Sequence, residues 1–311
     1  MKLKGIGIDL SDARIDGDMA KLRMEFDFFA ACGFDAVELS IPGLYLILNG
    51  RLDERRAERT QAILRQFSFR YTLHLPDNLN LASPAEPKSA YSIACECLSF
   101  AAAARAEVAV YHCGLDFVET KDLQALGAAR RQEVEQLQSL ASKAEQHGVL
   151  IAVENSDPRR GEQLQLAALS ISGSEARQLH PALDPSAVAA EVAEVGHPNV
   201  GMTLDFGHFY LASALTGQEF LPTIEAVSRR VDHIHLNDNF GRLAPAGLSR
   251  MDEALLGLAD CHLPPGMGSI PLRDSLGFFT DFAGYIILEL RPAYQLYFAE
   301  AVRWVRDLTN V

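Results

Sequence analysis

Leu150-Ile-Ala-Val-Glu154 is a short apolar run closed by a carboxylate. A run of this kind reads as a buried parallel strand. A buried strand ends in a charge only where that charge has a partner. The pattern recurs at Tyr71-Thr-Leu-His74, Val110-Tyr-His112, Met202-Thr-Leu-Asp205, His233-Ile-His235 and Ile287-Leu-Glu289. All six ends are of metal-ligand type. If the strands form one barrel, their common partner is one or more divalent metal ions.

Working outward from Glu154, eight strand candidates alternate with helical stretches. The strands are Lys4–Leu10, Ala36–Ile41, Arg70–Leu75, Val108–Cys113, Leu150–Asn155, Gly201–Phe206, Val231–Asn237 and Tyr285–Arg291. Amphipathic runs lie between them at Met19–Ala31, Leu52–Gln66, Lys88–Ala104, Leu123–Gln146, Pro185–Val195, Glu219–Arg229 and Tyr294–Leu308. Eight such units imply an α/β fold, a single (β/α)8 TIM barrel spanning residues 1–311 as one domain. The rival, a doubly wound open sheet, usually carries a Gly-rich phosphate loop, and no G-x-G-x-x-G or Walker pattern follows any strand. Asp184-Pro185 reads as an N-cap with proline at the first helical position, and Gly33 as a C-cap. Long loops follow strands 5 and 7. Loops of that size are often functional, and Pro158–Ala182 is expected to cover or border the barrel mouth, with Asn239–Gly268 similarly long.

The composition sets outer limits. The 311 residues are 48% hydrophobic and 22% charged, as in ordinary soluble globular proteins. No apolar stretch is long enough to cross a membrane, and Met-Lys-Leu-Lys runs straight into a strand without a secretory h-region, so a cytoplasmic protein is expected. Cys32, Cys95, Cys97, Cys113 and Cys261 match neither a disulfide framework nor a Cys-x-x-Cys zinc site, and read as reduced thiols. The net charge of −13 argues against a broad nucleic-acid surface. The paired arginines at 55–56, 130–131, 159–160 and 229–230 are scattered among acids and read as solvated faces.

Strand C-termini in a (β/α) barrel meet at one mouth. Glu154, Asp205, His235 and Glu289 would together supply three carboxylates and one imidazole, a set suited to Zn, Mn, Co or Mg. His74, His112, His208, Asp260 and His262 are candidate additional metal or substrate contacts. His233 shares the face of His235 but lies deeper, and reads as a satisfied interior histidine. Glu38 either lines the mouth or forms an ion pair. Arg291, two residues beyond Glu289, is a candidate clamp on a substrate oxygen or an ion-pair partner for Glu289. His147, His180 and His197 are given no role.

These motifs resemble the xylose isomerase-like TIM barrels, a superfamily also called apurinic/apyrimidinic endonuclease family 2. The resemblance runs through Gly33-Phe-Asp-Ala-Val-Glu-Leu39, His74-Leu-Pro with Asn80-Leu-Ala-Ser83, His112-Cys-Gly114, Val153-Glu-Asn155, Leu204-Asp-Phe-Gly-His208, His233-Ile-His-Leu-Asn-Asp238, Asp260-Cys-His-Leu-Pro-Pro-Gly-Met-Gly268 and Leu288-Glu289. It implies one of two activities. Sugar isomerases and epimerases of the superfamily hold one divalent ion with residues matching Glu154, Asp205, His235 and Glu289. Its DNA-repair endonucleases hold three zinc ions with the equivalents of His74, His112, Glu154, Asp205, His208, His235, Asp260, His262 and Glu289, and all nine ligand types are present here. Against the endonuclease stand the acidic charge and the loop Pro76-Asp77-Asn78-Leu79, which carries an acid and an amide where the repair enzymes insert bulky wedges. Met267 departs from the acidic residue common between the two glycines.

The leading expectation is therefore a metal-dependent isomerase or epimerase of a small sugar, sugar phosphate or polyhydroxy ketone. Glu154 and Glu289 would act as acid–base catalysts, Arg291 would bind substrate, and one divalent ion (Mn, Mg, Co or Zn) would be the cofactor. The alternative is a phosphodiester hydrolase with two or three zinc ions. The partner is a small sugar, with neither membrane nor nucleic acid expected, and homo-oligomerisation is left open.

Overall fold

The computed structural model describes residues 1–83, 87–113, 122–245, 248 and 250–309. Eight strands close into a parallel barrel. They are β1 (Gly5–Leu10), β2 (Ala36–Ser40), β3 (Arg70–His74), β4 (Ala106–His112), β5 (Leu150–Glu154), β6 (Val200–Asp205), β7 (Val231–Leu236) and β8 (Tyr285–Leu288). Closure is made by β8 against β1, with Gly5 opposite Tyr285 and Ile8 opposite Leu288. A two-stranded antiparallel ribbon, Ile47–Leu48 with Arg51–Leu52, lies between β2 and β3. The barrel expected from the strand–helix alternation is the one observed, with most boundaries within two residues.

Period-two alternation divides the side chains between two environments. Ile6, Ile8, Val37, Leu39, Leu73, Ile151, Val153, Met202, Leu204, Ile234, Ile286 and Leu288 belong to the large core cluster shared with the helices. Ala36, Val108, Val110, Ala152, Tyr285 and Ile287 form a separate small cluster inside the barrel. Gly7 is required by this interior, because a Cβ there would collide with Ile287. At the N-terminal end the Tyr285 hydroxyl donates to Glu107 at 2.7 Å and lies 3.2 Å from Arg70, making a polar floor. Above the apolar layer, the same inward parity carries Glu38, Thr72 and His233, and then the strand-end acids and imidazoles.

Capping fixes how the chain leaves and re-enters the strands. Asp18 accepts from Ala20 and Lys21 at the start of helix Met19–Cys32, and Gly33 ends it at φ 88°. Asp184 caps Pro185–Val195 as expected. The long connection after β5 is not irregular, for it holds helices Arg160–Ala168 and Gly173–Leu179. The connection after β7 includes helix Arg250–Leu256 and is pinned by the Asp238–Leu263 bridge. No helix among the described residues is long and apolar enough to cross a membrane, and all five cysteines are free.

Candidate metal centre

Glu154 and Asp205 are the last residues of β5 and β6, His235 is the penultimate residue of β7, and Glu289 directly follows β8. All four point inward and are almost fully buried. His235 Nδ1 lies 2.7 Å from Glu154 Oε1 and 3.1 Å from Glu289 Oε1. Asp205 caps helix Phe206–Thr216 by accepting from the His208 amide at 2.6 Å, which brings the His208 ring back over the mouth. Donor atoms of Glu154, Asp205, His208 and Glu289 all lie within 4.8 Å of one another.

Two further groups adjoin this one. His74, His112 and Glu154 also offer donors within 4.8 Å of one another. Glu154 Oε2 lies 3.1 Å from His112 Nε2 and 3.6 Å from His74 Nε2. On the other side, Asp260 Oδ2 lies 2.6 Å from His262 Nε2 and 3.6 Å from His208 Nε2. The nine strand-end and loop residues singled out in the sequence are thus brought to one mouth, with Glu154 common to the first two groups.

The donor set fits a cation. Glu154 Oε2 and Asp260 Oδ1 are buried and accept no hydrogen bond. His74 Nδ1 sits 2.8 Å from the Leu75 carbonyl and His208 Nδ1 sits 3.0 Å from that of Asn155. Each ring therefore donates from Nδ1 and turns a bare Nε2 toward the carboxylates. Lone pairs that face one another need a proton or a metal ion between them. Titration expresses the same demand. Burial would lower the histidines, but surrounding carboxylates override it and lift His74, His208 and His262 to about 10. Burial, with Glu289, Asp260 and Glu154 adding, raises Asp205 to about 8. Burial likewise pushes Glu154 up, yet the His235 and His112 charges hold it well below the usual range. Glu289 is held at about 2 because His235 outweighs its burial. His112 falls to about 4 through burial, with neighbouring His74 adding.

Residues outside the nine shape the cluster. Asn155 donates to the Asp205 carbonyl at 3.0 Å and accepts from its amide at 2.9 Å, tying β5 to β6. Asn237 donates to Asp205 Oδ2 at 3.2 Å. Asp238 accepts from the amides of Gly266, Gly268 and Ile270 and so folds the loop that carries Asp260 and His262. Asp9 Oδ1 accepts from Leu290 N, and burial with the Glu289 charge raises its carboxyl to about 7. None of these was assigned a role from sequence. For Asn237 the signal was available, because it keeps the inward parity of His235.

Glu38 resolves as an ion-pair residue. Its Oε1 lies 2.9 Å from His235 Nε2, and its Oε2 lies 3.1 Å from His233 Nε2 and accepts from Thr72 at 2.8 Å. His233 is fully buried beneath His235, as its depth in the strand implied. Arg291 corrects an expectation. Among the described residues it makes no ion pair with Glu289. Its guanidinium donates to the Asp260 carbonyl at 2.5 Å, because the chain turns into Pro292 straight after β8 and carries the side chain to the post-β7 loop. The post-β5 connection does border the mouth, with Arg159 Nη2 3.3 Å from His112 Nδ1. Gly114, part of the His112-Cys-Gly motif, and a few residues of the 239–268 loop lie outside the described residues.

Residues 26–308 match the family described as xylose isomerase-like TIM barrel. The chain belongs to that family. A search of curated proteins finds no significant match. Among solved structures, this xylose isomerase-like barrel is similar to a D-tagatose 3-epimerase-like protein, at 19% identity and TM-score 0.68, covering 100% of this chain and 98% of the other. It is similar to the D-allulose 3-epimerase of Methylomonas sp. at 14% identity and TM-score 0.66, covering 99% and 98%. It also resembles 3-keto-D-glucoside 4-epimerase from E. coli at 14% identity and TM-score 0.62, covering 99% of both chains. At these identities the likeness establishes the fold.

Proposed function

We propose that this protein is a divalent-metal-dependent epimerase or isomerase of a ketose or related polyhydroxy ketone. The carrying observation is the arrangement of Glu154 and Glu289 on either side of His235 Nδ1, at 2.7 and 3.1 Å, with Asp205 in the same donor group. The solved relatives named as 3- and 4-epimerases support the same chemistry. Glu154, Asp205, His235 and Glu289 would hold the ion, which when bound supplies Lewis acidity to a carbonyl and its neighbouring hydroxyl. Glu154, kept ionised by its imidazole neighbours, takes the proton from the acidified carbon. Glu289 faces the same centre from the β8 side and returns a proton to the other face or the adjacent carbon. Burial disfavours the charged ring, but the surrounding carboxylates outweigh it and favour a proton on His208 Nε2, which would donate to the developing enediolate oxygen. Arg291 Nη2 holds the Asp260 carbonyl at the rim, and the other N–H groups of the guanidinium would serve a substrate oxygen.

The test is exchange of carbon-bound hydrogen in heavy water across a panel of ketoses, using protein loaded with Mn, Mg, Co or Zn. Exchange is expected in the wild type. Glu154→Gln should lower it by about 100- to 10,000-fold, with circular dichroism unchanged. Full turnover in that variant removes the acid–base assignment.

A second reading is favoured by the two additional donor groups, His74–His112–Glu154 and His208–Asp260–His262. These would suit two or three zinc ions in a phosphodiester hydrolase. Elemental analysis of unchelated protein separates the readings. One equivalent of metal supports the isomerase, whereas two or three of zinc with cleavage of an abasic duplex supports the hydrolase.

A further inference from the structure

A cavity of about 860 Å³ opens beside the donor cluster. Its walls come from three successive loops on the C-terminal face. Asp12 and Asp16 follow β1, Pro42, Tyr45 and Ile47 follow β2, and residues 76–80 follow β3. The cavity touches the metal centre through Asp77, which lines it and whose Oδ1 lies 3.5 Å from His74 Nδ1. The volume is within the roughly 300–1,000 Å³ of pockets that enclose drug-sized ligands. That exceeds what the few carbons addressed by Glu154 and Glu289 require.

The chemistry of the walls is selective. Asp12, Asp16 and Asp77 contribute three carboxylates, Asn78 and Asn80 two amides, and the described lining has no Lys, Arg or His. Helix Pro87–Ala104 presents its first turns to the cavity, but a helix N-terminus offers only about half a positive charge. Three carboxylates outweigh it, so an anionic group is repelled. Nearby Arg56 is committed elsewhere, donating to the carbonyls of Leu44 and Gly17. Tyr45 is 56% exposed although its side chain is tethered. Its hydroxyl donates to Asp16 at 2.9 Å, Arg56 lies against the ring at 5.8 Å, and its backbone is held at φ 53°. An exposed aromatic residue that shares the cavity wall with Pro42, Ile47, carboxylates and amides suits a ligand that alternates C–H faces with hydroxyls.

We propose that this cavity is a second sugar subsite, for an uncharged glycosyl group attached to the reacting ketose. The substrate is then an extended neutral saccharide and not a sugar phosphate. The inference rests on the epimerase reading for its reacting end, but its binding is measurable independently of turnover. Fructose, its 6-O-glucosyl derivative isomaltulose and fructose 6-phosphate are alike around the carbonyl and differ in the distal group. Calorimetry on the manganese-loaded protein should show isomaltulose binding at least tenfold tighter than fructose, and fructose 6-phosphate more weakly than fructose. Tyr45→Ala should bring the isomaltulose-to-fructose ratio toward one, and Asp16→Asn should reduce the discrimination against the phosphate. Equal affinity for isomaltulose and fructose, tighter binding of the phosphate, or no binding of any of the three overturns the subsite. If the order holds but none of the three undergoes carbon–hydrogen exchange, the subsite stands and the epimerase reading falls.

Discussion

Glu38 offers the sharpest test of how the barrel interior supports the proposed metal centre. It is 1% exposed and reaches upward to His235 Nε2 at 2.9 Å, sideways to His233 Nε2 at 3.1 Å, and accepts from Thr72. The His235 contact is a short charge contact rather than an aligned hydrogen bond, since neither atom has a well-directed partner. A metal ion held at Nδ1, between Glu154 and Glu289, would leave the ring proton on Nε2, facing Glu38. In Glu38→Gln one oxygen becomes an NH2 group. Either the amide donor meets the His235 N–H, or the amide flips and loses Thr72 and His233. Carboxylates behind a metal-binding histidine typically contribute about 10- to 100-fold in affinity, which is about 1.4 to 2.8 kcal/mol. Competition against a metallochromic chelator should therefore show manganese or zinc affinity reduced by that factor. Glu38→Asp should lose less than Gln because it retains the charge. If Gln binds metal as tightly as wild type while Glu154→Gln does not, Glu38 is a packing residue and the relay from β2 to β7 is wrong.

Glu191 is buried near Cys113 and Glu133, in a group separate from the strand-end donors. Burial, followed by the Glu133 charge, raises its carboxyl to about 9 from an ordinary value near 4.5. The folded state thus keeps a proton that the unfolded chain has released, so this stabilisation is complete below pH 4.5 and lost as pH rises toward 9. The urea midpoint should fall over that range. Glu191→Gln should flatten the slope by at most about 1.4 kcal/mol per pH unit, and an identical slope in the variant would contradict the assignment. Gly207 lies against the Asn237 amide, where an added Cβ would overlap its side-chain oxygen and nitrogen. Gly207→Ala should cost about 1 to 3 kcal/mol by thermal melting and weaken metal binding through the displaced Asn237–Asp205 contact. An unchanged melting temperature would show that Asn237 can move freely.

Much of this protein was legible before folding. Strand runs such as Leu150–Glu154 and Met202–Asp205 combine β-branched or apolar residues with a terminal acid, and the alternation of eight such runs with amphipathic helices specifies the barrel. The inward parity that groups Glu154, Asp205, His235 and Glu289 follows from the two-residue repeat of a strand. The Arg291–Glu289 pair failed for a local reason. The strand ends at Leu288, so strand parity no longer governs residue 291, and the guanidinium goes to Asp260 instead.

Residue order along the chain suffices to say which residue types stand at strand ends and which face they share, because hydrophobic alternation and capping act over a few residues. It took the folded barrel to bring Glu38 under His235, to let Asn155 and Asn237 tie down Asp205, and to wall one cavity with Asp12, Tyr45 and Asp77. Those contacts join residues tens to hundreds of positions apart. Their distances depend on barrel closure and on loop paths, which arise from packing of the whole core and leave no periodic trace along the chain.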